Sequence, residues 1–242
     1  MNKIICGDAF DILNKLPNES INLLLTDPPY GANFLSYKPE RVNGIKGEKE
    51  LSENLYIYNR FYLNLLLLAY NKLKIDGSFL LFTADASLYK LLPLVISVGF
   101  LKQAVLIWWA RDKPIVTSAP RFRWETELIL HLTKIEKFKW TSDQINSNVL
   151  NVNAVFKGRK EYVGHPTQKP LELGRKLIMP LTEKNDLVVD PFCGSGTFMV
   201  AAKELERNYF GCDIEQKYVE ITLNRLLKIP NRRLQDFGEN KM

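Results

Sequence analysis

Short apolar runs near residues 3–6, 21–26, 78–83, 103–109, 126–133, 186–190 and 208–212 alternate with helical patterns near 9–16, 55–74, 86–98, 170–182, 196–206 and 215–227. A run with apolar residues on both faces, such as Ile21-Asn22-Leu23-Leu24-Leu25-Thr26, must be covered on both sides, and covering both faces of a sheet requires helical crossovers. The alternation predicts an α/β fold: a mostly parallel, seven-stranded sheet with helices on both sides. One connection departs from the pattern. Between 103–109 and 126–133 there is only a basic, proline-containing loop, so a hairpin should make one strand antiparallel. The 242 residues, 46% of them hydrophobic, read as a single domain spanning 1–242. Two polar stretches, 31–54 and 134–164, exceed ordinary loop lengths. Both are expected to leave the sheet on the side to which Tyr30 points.

Composition narrows the functional classes. No uninterrupted apolar run approaches the length of a membrane span, and the N-terminus enters a strand at once without a signal-peptide pattern, so a cytoplasmic protein with no membrane partner is expected. Cys6, Cys193 and Cys212 are widely spaced beside apolar strands and read as small core residues. With His131 and His165 the only histidines, no metal site is expected. The net charge of +6 favours an anionic partner.

Asp27-Pro28-Pro29-Tyr30 stands at the carboxyl end of the second strand pattern, the edge at which open α/β sheets bind ligands. Two prolines cannot continue a ladder, so the chain leaves the sheet in a rigid turn that presents a carboxylate and an aromatic ring together. That pairing suits a planar amine.

A second constellation lies late in the chain. Leu187-Val188-Val189-Asp190-Pro191-Phe192-Cys193-Gly194-Ser195-Gly196-Thr197 reads as strand, tight glycine turn and helix start, where backbone and unpaired N–H groups can approach a ligand. The third glycine of the dinucleotide fingerprint is missing, which argues against a nicotinamide cofactor. Asp213 follows at the end of the next strand, at a spacing that suits a ribose diol. Ser195 is no triad nucleophile, because the Gly-x-Ser-x-Gly pattern is absent.

Asp27 to Tyr30 and Asp190 to Thr197 resemble the catalytic and cofactor motifs of the amino-group DNA methyltransferases, and their order along the chain is similar to the permuted β class. His165-Pro166-Thr167-Gln168-Lys169-Pro170 resembles a further segment of that class, and Gly7-Asp8 its adenine-contacting turn. The resemblance implies a Rossmann-like fold, S-adenosyl-L-methionine as cofactor and double-stranded DNA as partner. It is compatible with a homodimer and with a cognate restriction endonuclease. It implies Asp27, Pro28, Pro29 and Tyr30 as catalytic residues. For the cofactor it implies Asp8, Ala9, Asp27, Gln168, Lys169, Asp190, Phe192, Cys193, Gly194, Ser195, Gly196, Thr197 and Asp213, with Gln168 and Lys169 at the methionine end. Asp at the first motif position links the chain mainly to adenine N6, with cytosine N4 as the alternative.

The residues suit that chemistry. An exocyclic amine is a poor nucleophile because its lone pair is delocalised, so it must be held by acceptors such as Asp27 and a carbonyl of the Pro28 turn. Tyr30 would stack on a base flipped from the duplex. Positive charge for DNA is expected from Lys38 and Arg41, from Arg111, Lys113, Arg121 and Arg123, and from Lys157 and Arg159, with Lys134, Lys137, Lys139 and Lys160 nearby in sequence. Segment 134–164, with Asn146, Asn148, Asn151 and Asn153, is the expected target-recognition insertion. Methylation of RNA or a protein amide, and a nucleotide-binding module without catalysis, are the rival functions.

Overall fold

The computed structural model describes residues 2–29, 48–110, 112, 125–142 and 147–230, with 48–54 as backbone alone. In chain order the elements are β1 (Asn2–Cys6), α1 (Ala9–Asn14), β2 (Ile21–Thr26), α2 (Glu48–Lys72), β3 (Leu73–Thr83), α3 (Asp85–Val98), β4 (Leu101–Trp109), β5 (Thr126–Thr133), β6 (Val149–Asn151), α4 (Leu171–Ile178), β7 (Leu187–Asp190), α5 (Thr197–Glu204), β8 (Asn208–Asp213) and α6 (Gln216–Leu227). They form one sheet of order β1-β8-β7-β2-β3-β5-β4-β6 in which β5 alone runs against the rest. The expected parallel sheet with one reversed strand is therefore present.

Alternate residues of the central strands feed two apolar layers. Leu24, Phe79, Leu81, Leu130 and Val189 pack toward α1, α2 and α3. Leu23, Leu25, Leu80, Phe82 and Val188 pack toward α4 and α5. This is the period-two signature of strands buried on both faces.

Several boundaries differ from the sequence pattern. The helix expected over 55–74 ends at Lys72, and β3 starts at Leu73 rather than 78. Lys72 O accepts from Ser20 N at 2.9 Å and Leu73 pairs with Ile21, so ladder contacts with the start of β2 extend the strand backward. The helix expected over 170–182 stops at Ile178 and tightens into a 3-10 turn at Met179–Leu181, where Pro180 has no N–H to continue it. Cys193 and Cys212 are buried as expected, whereas Cys6 is exposed on the edge strand. Among the described residues no helix is long and apolar enough to cross a membrane.

The largest correction concerns 134–164. This stretch contains an eighth strand, β6, which pairs with the end of β4 and leads Val152 and Ala154 into the core; Trp108 Nε1 donates to Val152 O at 2.7 Å. It also starts at the wrong edge for the expected role. Because β5 is antiparallel, Thr133 pairs with Leu101, the first residue of β4, and the chain exits at the amino edge of the parallel strands. There Lys139 Nζ lies 2.8 Å from Asp186 and 2.8 Å from Glu183, just ahead of β7. Lys134 faces Glu19 at 3.8 Å. Among the described residues of this stretch, the part from β6 onward returns to the edge where Asp27 stands.

Candidate active site

The sheet divides at β7 and β2: from β7 the chain crosses through α5 to β8 on one side, and from β2 through α2 to β3 on the other. A crevice opens where neighbouring connections diverge in this way. Here it is a cleft of about 760 Å³ at the carboxyl edge. Asp27 and Asp190, 163 residues apart, face it from adjacent strands, and Thr26 Oγ1 donates to Asp190 Oδ1 at 2.6 Å.

Asp190 anchors the glycine turn. Its Oδ1 also accepts from Phe192 N at 3.0 Å. Burial pushes its pKa up to about 7, offset in part by those two hydrogen bonds and reinforced by the charges of Asp27 and Asp213. Gly194 and Gly196 take φ of 50° and 74°, the left-handed region that side chains disfavour. Helix α6 holds the turn from behind: Thr222 Oγ1 donates to Gly194 O at 2.9 Å, and Arg225 Nη1 to Ser195 O at 2.7 Å and to Thr197 Oγ1 at 3.0 Å. Asp213 closes the far side, its carboxylate accepting from Gly194 N and Glu215 N, each at 2.9 Å.

Opposite the turn, residues 165–170 form a wall. His165 sits against Tyr218 with ring centroids 4.4 Å apart, and burial lowers its pKa. Lys169, 7% exposed, reaches Asp27 Oδ2 and lies 3.2 Å from Glu127 Oε2. Its ammonium also rests over the Phe82 ring, 5.2 Å from the centroid.

The cleft thus joins an acidic turn at β2 to a glycine turn at β7. The sequence profile of the DNA methylase family matches residues 21–224. The chain belongs to that family. It is 29% identical to the type II methyltransferase M.HinfI of Haemophilus influenzae, over 96% of this chain and 70% of that protein. To M2.MboI of Moraxella bovis, also a type II methyltransferase, it is 28% identical over 92% of this chain and 86% of that protein. Among solved structures, PvuII DNA methyltransferase (cytosine-N4-specific) superposes with a TM-score of 0.77 at 22% identity, covering 98% of this chain and 89% of that one. The M1.HpyAVI–SAM complex superposes at 0.71 with 23% identity, covering 95% of this chain and 100% of that one. The enzyme is a DNA methyltransferase with a Rossmann-like fold that uses S-adenosyl-L-methionine. Its cleft fits that cofactor: the volume lies in the usual ligand range, and the backbone of Gly194, the Asp213 carboxylate and aromatic walls surround it.

Most of the expected residues converge on the enzyme's cleft. Asp8, Ala9, Asp27, Pro28, Pro29, Gln168, Lys169, Asp190, Phe192, Cys193, Gly194, Ser195, Thr197 and Asp213 line it. Gly196 lies behind, packed on Thr222. Two side chains are engaged differently from the expectation. Gln168 spends its amide on the backbone, accepting from Val163 N at 2.9 Å and donating to Glu161 O at 2.8 Å. Lys169 serves Asp27 and Glu127 as described. Asp8 caps α1, its Oδ1 accepting from Phe10 N at 2.8 Å and Asp11 N at 3.1 Å, while still facing the cleft.

For DNA, Lys157 is exposed on the return segment, but Arg159 is paired with Asp112 and stacked on Phe156, so it ties the segment down. Asn148 Nδ2 donates to Val105 O at 3.2 Å as part of the entry to β6. Tyr30, Lys38, Arg41, Arg111, Lys113, Arg121, Arg123 and Asn146 lie outside the described residues. Sequence reasoning missed Phe10, Phe61, Glu127, Ile214 and Tyr218 on the walls. Ile214 adjoins Asp213 and could have been found by adjacency. Glu127 carries no local signal, because an acid at a strand start is ordinary.

Proposed function

We propose that the enzyme transfers methyl to the exocyclic N6 of adenine in duplex DNA, on a base flipped into the cleft. The observation that carries amine methylation is the placement of Asp27 beside the glycine turn, where a carboxylate can hold an amine against the cofactor, and the choice of adenine follows from Asp at the first position of the motif. Bound there, S-adenosylmethionine supplies an electrophilic methyl on a sulfonium. Asp27 and a carbonyl of the proline turn accept the two N–H groups and direct the lone pair outward, a positioning effect. Tyr30, next in sequence, is the proposed stacking face, a contact worth about 1–3 kcal/mol per base. Asp213 is the proposed ribose acceptor, and the return segment from β6 onward, with Lys157, the proposed approach for the DNA backbone. The type II designation of its relatives supports a restriction-modification setting with a partner endonuclease.

The test is transfer of radiolabelled methyl to PCR-amplified, hence unmodified, phage DNA, followed by nucleoside chromatography. N6-methyladenine is expected. Asp27→Ala should lower the single-turnover rate by about a hundred-fold or more, as loss of an oriented acceptor does. N4-methylcytosine as product would replace adenine by cytosine. Background counts from protein shown to bind the cofactor would overturn the reading.

A further inference from the structure

Asp27 does not stand alone at the proposed reacting centre. Lys169 reaches its Oδ2 and lies 3.2 Å from Glu127 Oε2, so one ammonium is shared between carboxylates from the end of β2 and the start of β5. The lysine is buried at 7% exposure and walled by the Phe82 and Trp108 rings, 5.2 and 5.9 Å away. Poor solvation strengthens each charge on its neighbours. The trio carries one net negative charge: two carboxylates against one ammonium.

We propose that Lys169 and Glu127 are positioning residues for methyl transfer: Lys169 fixes the Asp27 carboxylate, and Glu127 keeps that carboxylate basic enough to take the amine's proton. The inference rests on the proposed role of Asp27. In the reaction the amine nitrogen forms its bond to the methyl as the sulfur–methyl bond breaks, and the breaking pair stays with sulfur. The nitrogen, now cationic, releases one proton to Asp27. A lysine bonded to Asp27 alone would stabilise the carboxylate and oppose that step. Sharing the lysine with Glu127 weakens the opposition and leaves Lys169 a counter-ion once Asp27 is neutral. The trio passes from one negative charge to none as the cofactor loses its positive charge, so the local sum is unchanged. Other titratable groups facing the trio, among the described residues, are Asp190 at the end of β7, whose charge interacts with Asp27, and His165, whose charge interacts with Lys169.

The experiment compares wild type with Glu127→Gln, Lys169→Met and the double variant, each first shown to be folded by its melting transition. Single-turnover methyl transfer to PCR-amplified phage DNA is measured against pH. Glu127→Gln removes a negative charge and should move the acid limb to lower pH; Lys169→Met removes the cation and should move it to higher pH. The double variant restores the single negative charge and should return the limb toward wild type. A second readout needs no turnover. Calorimetric affinity for S-adenosylmethionine relative to S-adenosylhomocysteine should fall several-fold in Glu127→Gln, because the trio becomes neutral. Rates that drop in all variants with no shift of the limb and no change in that ratio would overturn the proposal and leave a purely structural ion pair. A wild-type enzyme insensitive to Asp27→Ala would instead overturn the reading of Asp27 on which it rests.

Discussion

Replacing Gly196 by alanine should remove a large part of the enzyme's stability, and the cost can be worked out from the contacts. At φ 74° the residue occupies the left-handed region, where a Cβ costs about 1–2 kcal/mol. The added carbon would lie 2.3 Å from Thr222 Cγ2, 2.5 Å from its Oγ1 and 2.8 Å from its Cβ. Thr222 cannot turn away cheaply, because it is fully buried and its hydroxyl donates to Gly194 O at 2.9 Å. Overpacking of this kind costs about 1–3 kcal/mol, for a sum of about 2–5 kcal/mol against a typical stability of about 5–15 kcal/mol. At about 2–4 °C per kcal/mol for a chain of this size, the melting temperature should fall by about 4–20 °C. Scanning calorimetry without ligand reads this directly. Thr222→Ala removes the two nearest atoms but keeps the Cβ at 2.8 Å, so in that background the same glycine change should cost less, through the backbone strain and that one remaining contact. Equal losses in the two backgrounds would refute the contact argument, and a loss below about 1 kcal/mol would refute the strain argument as well.

Two further outcomes probe the same turn. Arg225→Met removes the charged donor from the Ser195 carbonyl; a hydrogen bond of that kind is worth about 1.5–3 kcal/mol, so cofactor affinity by titration calorimetry should weaken by about ten- to a hundred-fold while kcat at saturating cofactor is kept. Unchanged affinity would show that the turn holds its shape without the latch. Asp190, raised from 3.8 to about 7 by burial, contributes stability that is complete below its unfolded pKa and is lost as pH rises through about 7. Asp190→Asn keeps an oxygen for Thr26 and Phe192 but cannot ionise, so its melting temperature should fall less than that of wild type between about pH 4 and about pH 8. Parallel curves would mean that Asp190 is not the group responsible.

Local chemistry was legible wherever the residues that act together are neighbours in the chain. The glycine turn after Asp190 and the prolines after Asp27 declare their geometry within a few residues. Glu127 shows the opposite case. It faces the cleft only because β5 runs backward beside β3 and β4, which brings the strand's first residues to the carboxyl edge. The same reversal carries residues 134–142 to the far edge, away from the role that their basic composition suggested.

Alternating apolar strands and helices determined the fold class, because only helical crossovers cover strands apolar on both faces. The motifs determined the kind of chemistry, because each is a single turn of consecutive residues. Which turns meet was decided by the tertiary structure. Thr26 beside Asp190, and Lys169 between Asp27 and Glu127, follow from the strand order and from the direction of β5. Those depend on pairing between distant apolar strands whose sequences look alike, so no local pattern distinguishes one neighbour from another.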